Sequence, residues 1–436
     1  AWDNTGLRYP PKVVVLAETT HQVAAALKCC HKHTVTVTPR GAGSGNVGGA
    51  LAVQGGVVLS TQRMNRIREI NPEDRLAVVE PGVVNDDLQT AVQQEGLFWP
   101  PDPSSSRVCT VGGNIAMCSA GPGAVRFGVT RDWVLGLTAV RMDGTILRTG
   151  GRTTKGVTGY DLTRLLIGSE GTLAVVTEAT LKLAPRPEAR RLLRALFPSV
   201  ASAALAVSAL MRRGTPPCAV EFLDGAALGL VRESGIDIPP EGEAMLLLEA
   251  CGSQDQADRL AEELEERLQR LDVVEVMRAR NEEEASQVWE ARLALSPVLK
   301  KLAPKRINED VVVPVSRLAE LIQGLEEISR EVNFPIVNFG HAGNGNIHVN
   351  LLADPDDPEH APRIPDALNR VFGLVMDLDG TLSGEHGIGI RKRPYLGWEQ
   401  DEEVIALQRA IKGVFDPKGL LNPDKVLPLP DETPLR

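Results

Sequence analysis

Pro39–Gly49 reads PRGAGSGNVGG, a glycine-rich run closing the strand-like segment TVTVTP. Gly43, Gly45 and Gly48 satisfy the spacing GxGxxG, which in a Rossmann unit turns a strand into a helix beneath a pyrophosphate. The context refuses that reading. Such a motif should open a helix and be followed about 20 positions later by an acid for the ribose. Here Gly49, Ala50 and the alternating strand GGVVLST come next. Successive backbone N–H groups in a run of this kind can still form an anion-binding nest, and a plain tight loop is the competing reading.

Working outward, VVVLAE reads as a strand, and a helix should begin near Thr19–Thr20 with Val23, Ala24, Leu27 and Cys30 on one face. RLAVVEPGV is strand-like, and a second helix is expected from Asn85 to Gly96. Three turn-rich segments follow: PPDPSS at 100–105, CTVGGNIA at 109–116 and GYDLTRLLIGSEGTL at 159–173, the last leading into the strand AVVTEATLKL. Glycines and hydroxyls so dense between strands suggest backbone lying close against a flat, phosphate-bearing ligand.

A chain of 436 residues has room for two or three domains. With 43% apolar and 24% charged residues and a mean hydropathy of −0.08, it reads as an ordinary globular protein. No apolar run approaches the ~20 residues of a membrane span, and the N-terminus has no charged-then-apolar leader pattern. The expected location is cytoplasmic, with peripheral attachment to a membrane complex left open. A net charge of −10 without a long basic tract argues against nucleic acid as partner. The six cysteines, at 29, 30, 109, 118, 218 and 251, show no CxxC spacing and are expected to be reduced structural thiols.

From Arg190 the chain alternates RLLRALF, a helix over 199–213, VEFLD, AMLLLEA, a charged helix over 255–271 and VVEVMRA. That recurrence implies an α+β domain of ferredoxin-like units. A helix reaching Ser296, the run KRINEDVVVP and an amphipathic helix over 316–332 come next.

The chain has seven histidines, and His341, His348 and His386 crowd into NFGHAGNGNIHVN (338–350) and SGEHGIG. FPIVNF and IHVNLL are strand-like, and Asn344–Gly345 favours a two-residue type I′ turn between them. That turn makes His341 and His348 direct cross-strand partners, roughly 4.5–5.5 Å apart at Cβ, with Asn350 on the same face. His341, His348 and Glu385 would supply three ligands to a zinc ion with an open position, leaving His386 for proton transfer. A hydrogen-bonded histidine pair on a hairpin is the competing reading.

Taken in order, PRGAGSGNVGG, PPDPSS, TVGGN, GYDLTRLLIGSEGTL, GHAGNGNIHVN, GEHGIG and LNPDK resemble one family. Residues 11–185 resemble the FAD-binding domain of the vanillyl-alcohol oxidase (PCMH) type superfamily. Residues 186–428 are similar to the C-terminal domain of its D-2-hydroxyacid dehydrogenase branch, which includes glycolate oxidase flavoprotein subunits, D-lactate dehydrogenases and D-2-hydroxyglutarate dehydrogenase. The implied fold class is α+β: a PCMH-type FAD-binding domain over 1–185, a ferredoxin-like α+β substrate and metal domain over 186–428, and a tail over 429–436. The resemblance implies FAD binding by Arg40, Gly41, Ala42, Gly43, Ser44, Gly45, Asn46, Pro101, Asp102, Ser104, Ser105, Thr110, Gly112, Gly113, Asn114, Ala116, Glu170, Gly171, Val176 and Asn422. Because His21, His31 and His33 all fall in or just after a surface helix, the FAD is expected to be non-covalent.

The resemblance also implies that Arg292 and Ser296 hold the substrate carboxylate, as a guanidinium suits a carboxylate. Asn350 would orient a small D-2-hydroxyacid, D-lactate or glycolate, beside a divalent metal on His341, His348 and Glu385, with Zn2+ expected. His386 would be the general base and flavin N5 the hydride acceptor. Electrons would leave to an iron-sulfur subunit, an electron-transfer flavoprotein, a cytochrome or a quinone, in a homo- or hetero-oligomer. Three departures stand out. Asn308 replaces a substrate lysine of some relatives, which tilts the substrate away from D-2-hydroxyglutarate. Asn344 stands where Asp is frequent, and Asp424 where LNPGK is usual. The abrupt start AWDNTGLRYPP, where relatives carry a helical segment, implies that residues precede it. Two alternatives stay open: a non-catalytic flavoprotein subunit and a His-His-Glu zinc hydrolase.

Overall fold

The computed structural model describes residues 2–212, 214–236, 238–303, 305–429 and 432. The chain forms two compact units, one of residues 1–121, 128–186 and 385–435, the other of residues 122–127 and 187–384. Among the described residues no helix is long and apolar enough to cross a membrane.

In the first unit a parallel three-stranded sheet sets Val57–Ser60 between Val13–Leu16 and Val37–Arg40. The helix Thr20–Lys32 starts where Thr19 accepts a hydrogen bond from the Gln22 N–H, and its i, i+4 pair Val23 and Leu27 is fully buried. The glycine run leaves the end of Val37–Arg40 and opens no helix, so the Rossmann reading fails in the structure as in the sequence. An antiparallel sheet in the order Ile67–Asn71, Leu76–Val79, Val175–Lys182, Val134–Val140, Ile146–Gly150 completes the unit. Its strand Val175–Lys182 alternates buried and half-buried residues, as period-2 patterning requires. Residues 385–435 return to this unit, where Leu421 bridges Val37 and the Asn422 N–H reaches Val37 O at 2.7 Å.

The second unit is a seven-stranded antiparallel sheet in the order Glu275–Arg278, Ala189–Phe197, Ala244–Gly252, Ala219–Leu223, Ile336–His341, Asn346–Leu351, Ile307–Val312. Helices Gly225–Glu233 and Glu282–Leu302 bury Leu228, Val231, Leu295 and Leu299 on Leu223, Met245, Leu247, Val337 and Phe339. The charged helix Gln254–Leu268 opens with a Ser253–Gln256 capping box and buries Ala257, Ala261, Leu264 and Leu268.

Two expectations are corrected here. The hairpin turn is not a two-residue type I′ turn: Ala342–Asn344 form a 3-10 turn closed by Gly345 at φ +72°. His341 therefore pairs with Asn346 and His348 with Phe339, so the two histidines are diagonal neighbours on one face. The cause is outside the hairpin, because Gly345 lies against the Val313 carbonyl where no Cβ fits, and Gly343 packs on Val125 and Val220. The cysteines are not all reduced either. Cys218 and Cys251 form a disulfide, while Cys29, Cys30, Cys109 and Cys118 are thiols.

Candidate active site

The sheet face that carries the apolar core of the second unit turns polar towards one end. Glu221 is the direct cross-strand partner of His341, His348 of Asp310, and Asn350 of Asn308. Glu221 is fully buried and bridges two cationic or proton-bearing groups. Its Oε1 lies 2.5 Å from Nδ1 of His341, and its Oε2 accepts from Nε of Arg292 at 2.8 Å. Arg292 comes from the helix Glu282–Leu302, and its guanidinium carbon sits 4.5 Å over the ring of Phe339, a cation–π contact in a dry setting. His348 closes the circuit, with its ring centroid 5.2 Å from that of His341 and 5.6 Å from that of Phe339.

Burial pushes the Glu221 carboxyl up, but His341 and Arg292 outweigh it and hold the group below its ordinary value. A carboxylate on Nδ1 orients a histidine and raises its basicity as a ligand through Nε2. The donor set His341 and His348 on one face therefore fits a divalent metal with nitrogen preference. Asp310, cross-strand from His348, accepts from Ser383 Oγ at 2.8 Å and from the Gly384 N–H at 2.9 Å, fixing the residues directly before Glu385 in sequence.

Sequence reasoning missed Glu221. It lies in VEFLD, where one acid within a short strand looks like an ordinary edge residue, and only the register with the strand Ile336–His341 reveals it. Ser296 follows Arg292 by one helical turn and is exposed, outside the buried circuit.

Glu385 and His386 belong to the first unit, with His386 Nε2 at 3.7 Å from Glu385 Oε1. Their loop is gripped on both sides. Glu170 accepts from the N–H groups of Ile388 at 2.7 Å and Gly389 at 2.9 Å, and the Ile390 N–H donates to Val47 O at 2.8 Å. Glu170 is 6% exposed; burial pushes its carboxyl up, and the two N–H groups pull it back. The acid that motif matching assigns to the cofactor thus spends its side chain on the GEHGIG loop.

The other flavin candidates converge within the same unit. At Gly41 a Cβ would lie 2.6 Å from Thr110 Oγ1, so the glycine run packs on the turn in which Thr110 accepts from the Gly113 N–H. Gly43 has φ +75° and lies against Arg40, which donates to Trp2 O at 2.8 Å. Gly112 packs on Pro81, and Ala116 O accepts from the Glu170 N–H. Pro101 O accepts from Asn85, while Asp102 and Ser104 are exposed and Ser105 half-buried. Gly171 at φ +68° packs on Pro39, and Val176 is half-buried in its strand.

Asn422, at φ +44°, donates from Nδ2 to Gly49 O at 2.9 Å and Glu170 O at 2.8 Å. Its Oδ1 is buried without a hydrogen-bond partner. A buried acceptor of this kind, beside a glycine cradle of backbone donors, fits a bound ring with N–H edges and a pyrophosphate. The residues present therefore fit FAD.

Comparisons with known proteins identify the family. Residues 11–150 match the family described as FAD binding domain, and residues 186–426 that described as FAD linked oxidases, C-terminal domain. The glycolate oxidase subunit GlcD of Bacillus subtilis (strain 168) is 40% identical over 417 residues, covering 95% of this chain and 89% of the relative. A probable mitochondrial D-lactate dehydrogenase of Danio rerio is 35% identical, covering 96% of this chain and 85% of the relative. Among solved structures, p-cresol methylhydroxylase with substrate bound shares the fold at a TM-score of 0.78 and 18% identity, over 95% of this chain and 88% of that one. Both halves of the sequence and the whole of the fold thus point one way, and the chain belongs to the FAD-linked oxidases, as an oxidoreductase of the glycolate oxidase subunit and D-lactate dehydrogenase type.

Proposed function

We propose that the chain oxidises a small D-2-hydroxyacid, such as D-lactate or glycolate, to the 2-oxoacid and passes the electrons to a separate acceptor. The observation that carries this reading is the buried Arg292–Glu221–His341 chain beside His348. It fixes a guanidinium and two imidazoles beside one sheet face of an FAD-linked oxidase, which supports a carboxylate-binding role for Arg292. Non-covalent FAD, when bound, would supply the hydride acceptor, and a divalent cation, Zn2+ by ligand type, would be held by His341, His348 and Glu385 and would supply the acidity the substrate hydroxyl needs.

The chain's own residues then have separate tasks. Arg292 receives the substrate carboxylate, with Ser296 as the accompanying hydroxyl, and Glu221 keeps the guanidinium in place. Asn350 shapes the floor beside His348. His386 takes the hydroxyl proton. Two relatives are named as subunits of a glycolate oxidase, which supports an electron acceptor on another chain.

Anaerobic mixing of the FAD-loaded protein with D-lactate, glycolate and L-lactate tests the reading through bleaching of the flavin spectrum. D-lactate or glycolate should bleach it, L-lactate should not. His386→Ala should retain FAD and metal but lose flavin reduction, whereas His348→Ala should lose the metal by elemental analysis. A flavin that no hydroxyacid reduces would identify a passive flavoprotein subunit instead.

A further inference from the structure

The second unit holds another set of metal-ligating side chains, sharing no residue with His341 and His348. Cys218, Glu249 and Cys251 each bring a ligand atom within 4.8 Å of the other two. They are 2%, 8% and 3% exposed, and the oxidation of a hydroxyacid makes no use of them.

The sheet builds this cluster. Glu249 and Cys251 stand two residues apart on the strand Ala244–Gly252 and so project from the same face. The neighbouring strand brings Cys218, whose N–H donates to the Glu249 carbonyl at 2.6 Å, and Ala219, next in the chain, stands directly opposite Glu249. On the other side Arg190 is the cross-strand partner of Cys251, and its Nη1 donates to Glu249 Oε1 at 2.6 Å. Among the described residues no other donor reaches that carboxylate.

With the two sulfurs bonded to each other, neither is a thiolate, the form of cysteine that ligates metals. Reduction changes that. A dithiol supplies two electrons and two protons, ends as its own disulfide and leaves both cysteines as thiols. A divalent ion then displaces both protons and forms two metal–thiolate bonds, with a Glu249 oxygen as third ligand and a fourth position open. Two thiolates, one carboxylate and a dication leave one negative charge, which the Arg190 guanidinium cancels. The buried cluster is therefore neutral only with the ion in place or with both sulfurs protonated or bonded. Sulfur ligands select Zn2+, or its softer analogue Cd2+, over Mg2+ and Ca2+.

We infer that Cys218, Glu249 and Cys251 form a redox-gated zinc site, which holds the ion when the two cysteines are reduced and excludes it when they are bonded to each other. Either cross-link ties the residue before the strand Ala219–Leu223 to the strand Ala244–Gly252. The strand that carries Glu221 is thereby braced in a reducing compartment as in an oxidising one.

The test takes the full FAD-loaded chain, strips it of metal with a chelator and divides it into an oxidised sample and one reduced with dithiothreitol and desalted anaerobically. After zinc is added and the excess removed, elemental analysis should find one more zinc per chain in the reduced sample. His341, His348 and the thiols Cys29, Cys30, Cys109 and Cys118 are the same in both samples and cancel in the difference. Cadmium in place of zinc should add a thiolate charge-transfer band to the reduced sample alone. Zinc should also raise Tm more in the reduced sample than in the oxidised one. The double variant Cys218→Ser, Cys251→Ser should take up the same zinc before and after reduction. Glu249→Gln keeps both sulfurs and should weaken the extra zinc by at least about tenfold. Equal zinc in the oxidised and reduced wild type, or an extra zinc that survives in the double serine variant, would overturn the inference. If the double variant does not fold, alkylation of the reduced wild type decides. Zinc should shield Cys218 and Cys251 from the reagent, and labelling of both at an unchanged rate would rule the site out.

Discussion

Glu221 and His341 face each other as direct cross-strand partners, with the carboxylate oxygen 2.5 Å from the imidazole Nδ1. Because the same carboxylate also holds Arg292, one buried charge orients both the proposed substrate anchor and a proposed metal ligand. Glu221→Ala would leave Arg292 buried without its counter-ion, a loss of ~3–5 kcal/mol. Glu221→Gln keeps the volume but weakens the histidine as a ligand, so metal affinity should fall ~10–100-fold, measured by competition with a chelator. The carboxyl titrates below its ordinary value in the fold. Its stabilising share is therefore present at neutral pH and lost as pH falls below the ordinary glutamate range. Glu221→Gln should flatten that acid limb of the stability curve. Unaltered metal affinity in this variant would show that the carboxylate serves Arg292 alone.

Much of the fold is legible in the chain, and what is not has physical causes. The helix Thr20–Lys32, the alternation of Val175–Lys182 and the refusal of a Rossmann turn at Gly43–Gly48 all follow from local periodicity. The register of the histidine hairpin does not, since the Val313 carbonyl, just past the strand Ile307–Val312, lies against Gly345 and shapes the turn. Glu221 escapes notice for a related reason. Its meaning lies in what stands opposite it on the neighbouring strand, 120 residues further along the chain, and no local spacing encodes that. Cys218 and Cys251, separated by 33 residues, give no local signature of pairing.

Arg292→Lys tests the stacked, hydrogen-bonded guanidinium. Lysine keeps the charge but loses both the Nε hydrogen bond to Glu221 and the planar stack on Phe339. The expected outcome is weaker hydroxyacid binding by about 10- to 100-fold, with a smaller change in the limiting rate of flavin reduction. Stopped-flow reduction over a range of substrate concentrations separates the two. Loss of the limiting rate with unchanged affinity would assign Arg292 to the chemical step.

Asp224 carries a pH dependence of opposite sign. It caps the helix Gly225–Glu233 by accepting from the Ala227 N–H at 2.8 Å, and it accepts from the backbone and side chain of Asn338, both at 2.9 Å. Full burial nevertheless pushes its carboxyl up to about 7. A folded value above the unfolded ~3.9 means the native state binds the extra proton, so stability falls as pH rises from about 4 to about 7 and levels off above. Asp224→Asn should remove that slope in urea titrations at stepped pH. It should also cost ~1–3 kcal/mol on the acid side, because an amide cannot accept all three donors. A slope that persists in the variant would place the titrating group elsewhere.

Asn422 links the C-terminal segment to the flavin loops, and its left-handed backbone separates two effects. Asn422→Gly keeps φ +44° accessible but removes both Nδ2 hydrogen bonds to Gly49 O and Glu170 O. Asn422→Ala removes them and adds strain of ~1 kcal/mol. Both variants should release FAD more readily, by at least about tenfold in dissociation constant, with alanine the less stable of the two. Equal flavin retention in wild type and Asn422→Gly would mean that the asparagine serves only the backbone turn.

The disulfide Cys218–Cys251 closes a loop of 33 residues within the second unit, tying the residue before the strand Ala219–Leu223 to the end of Ala244–Gly252. Glu221 lies on the first of those strands, so the cross-link braces the strand that holds the Arg292–His341 bridge. Chain-entropy arguments give a loop of this length ~3–4 kcal/mol of stabilisation, through the unfolded state. The double variant Cys218→Ala, Cys251→Ala should lose about that much in guanidinium unfolding. Dithiothreitol should lower the wild-type midpoint and leave the variant unmoved. Thiol titration in denaturant without reductant should find four reactive groups, matching Cys29, Cys30, Cys109 and Cys118, and all six after reduction. Six thiols before reduction would mean that the two cysteines are not cross-linked in the purified protein, and the stability difference should then vanish with the bond.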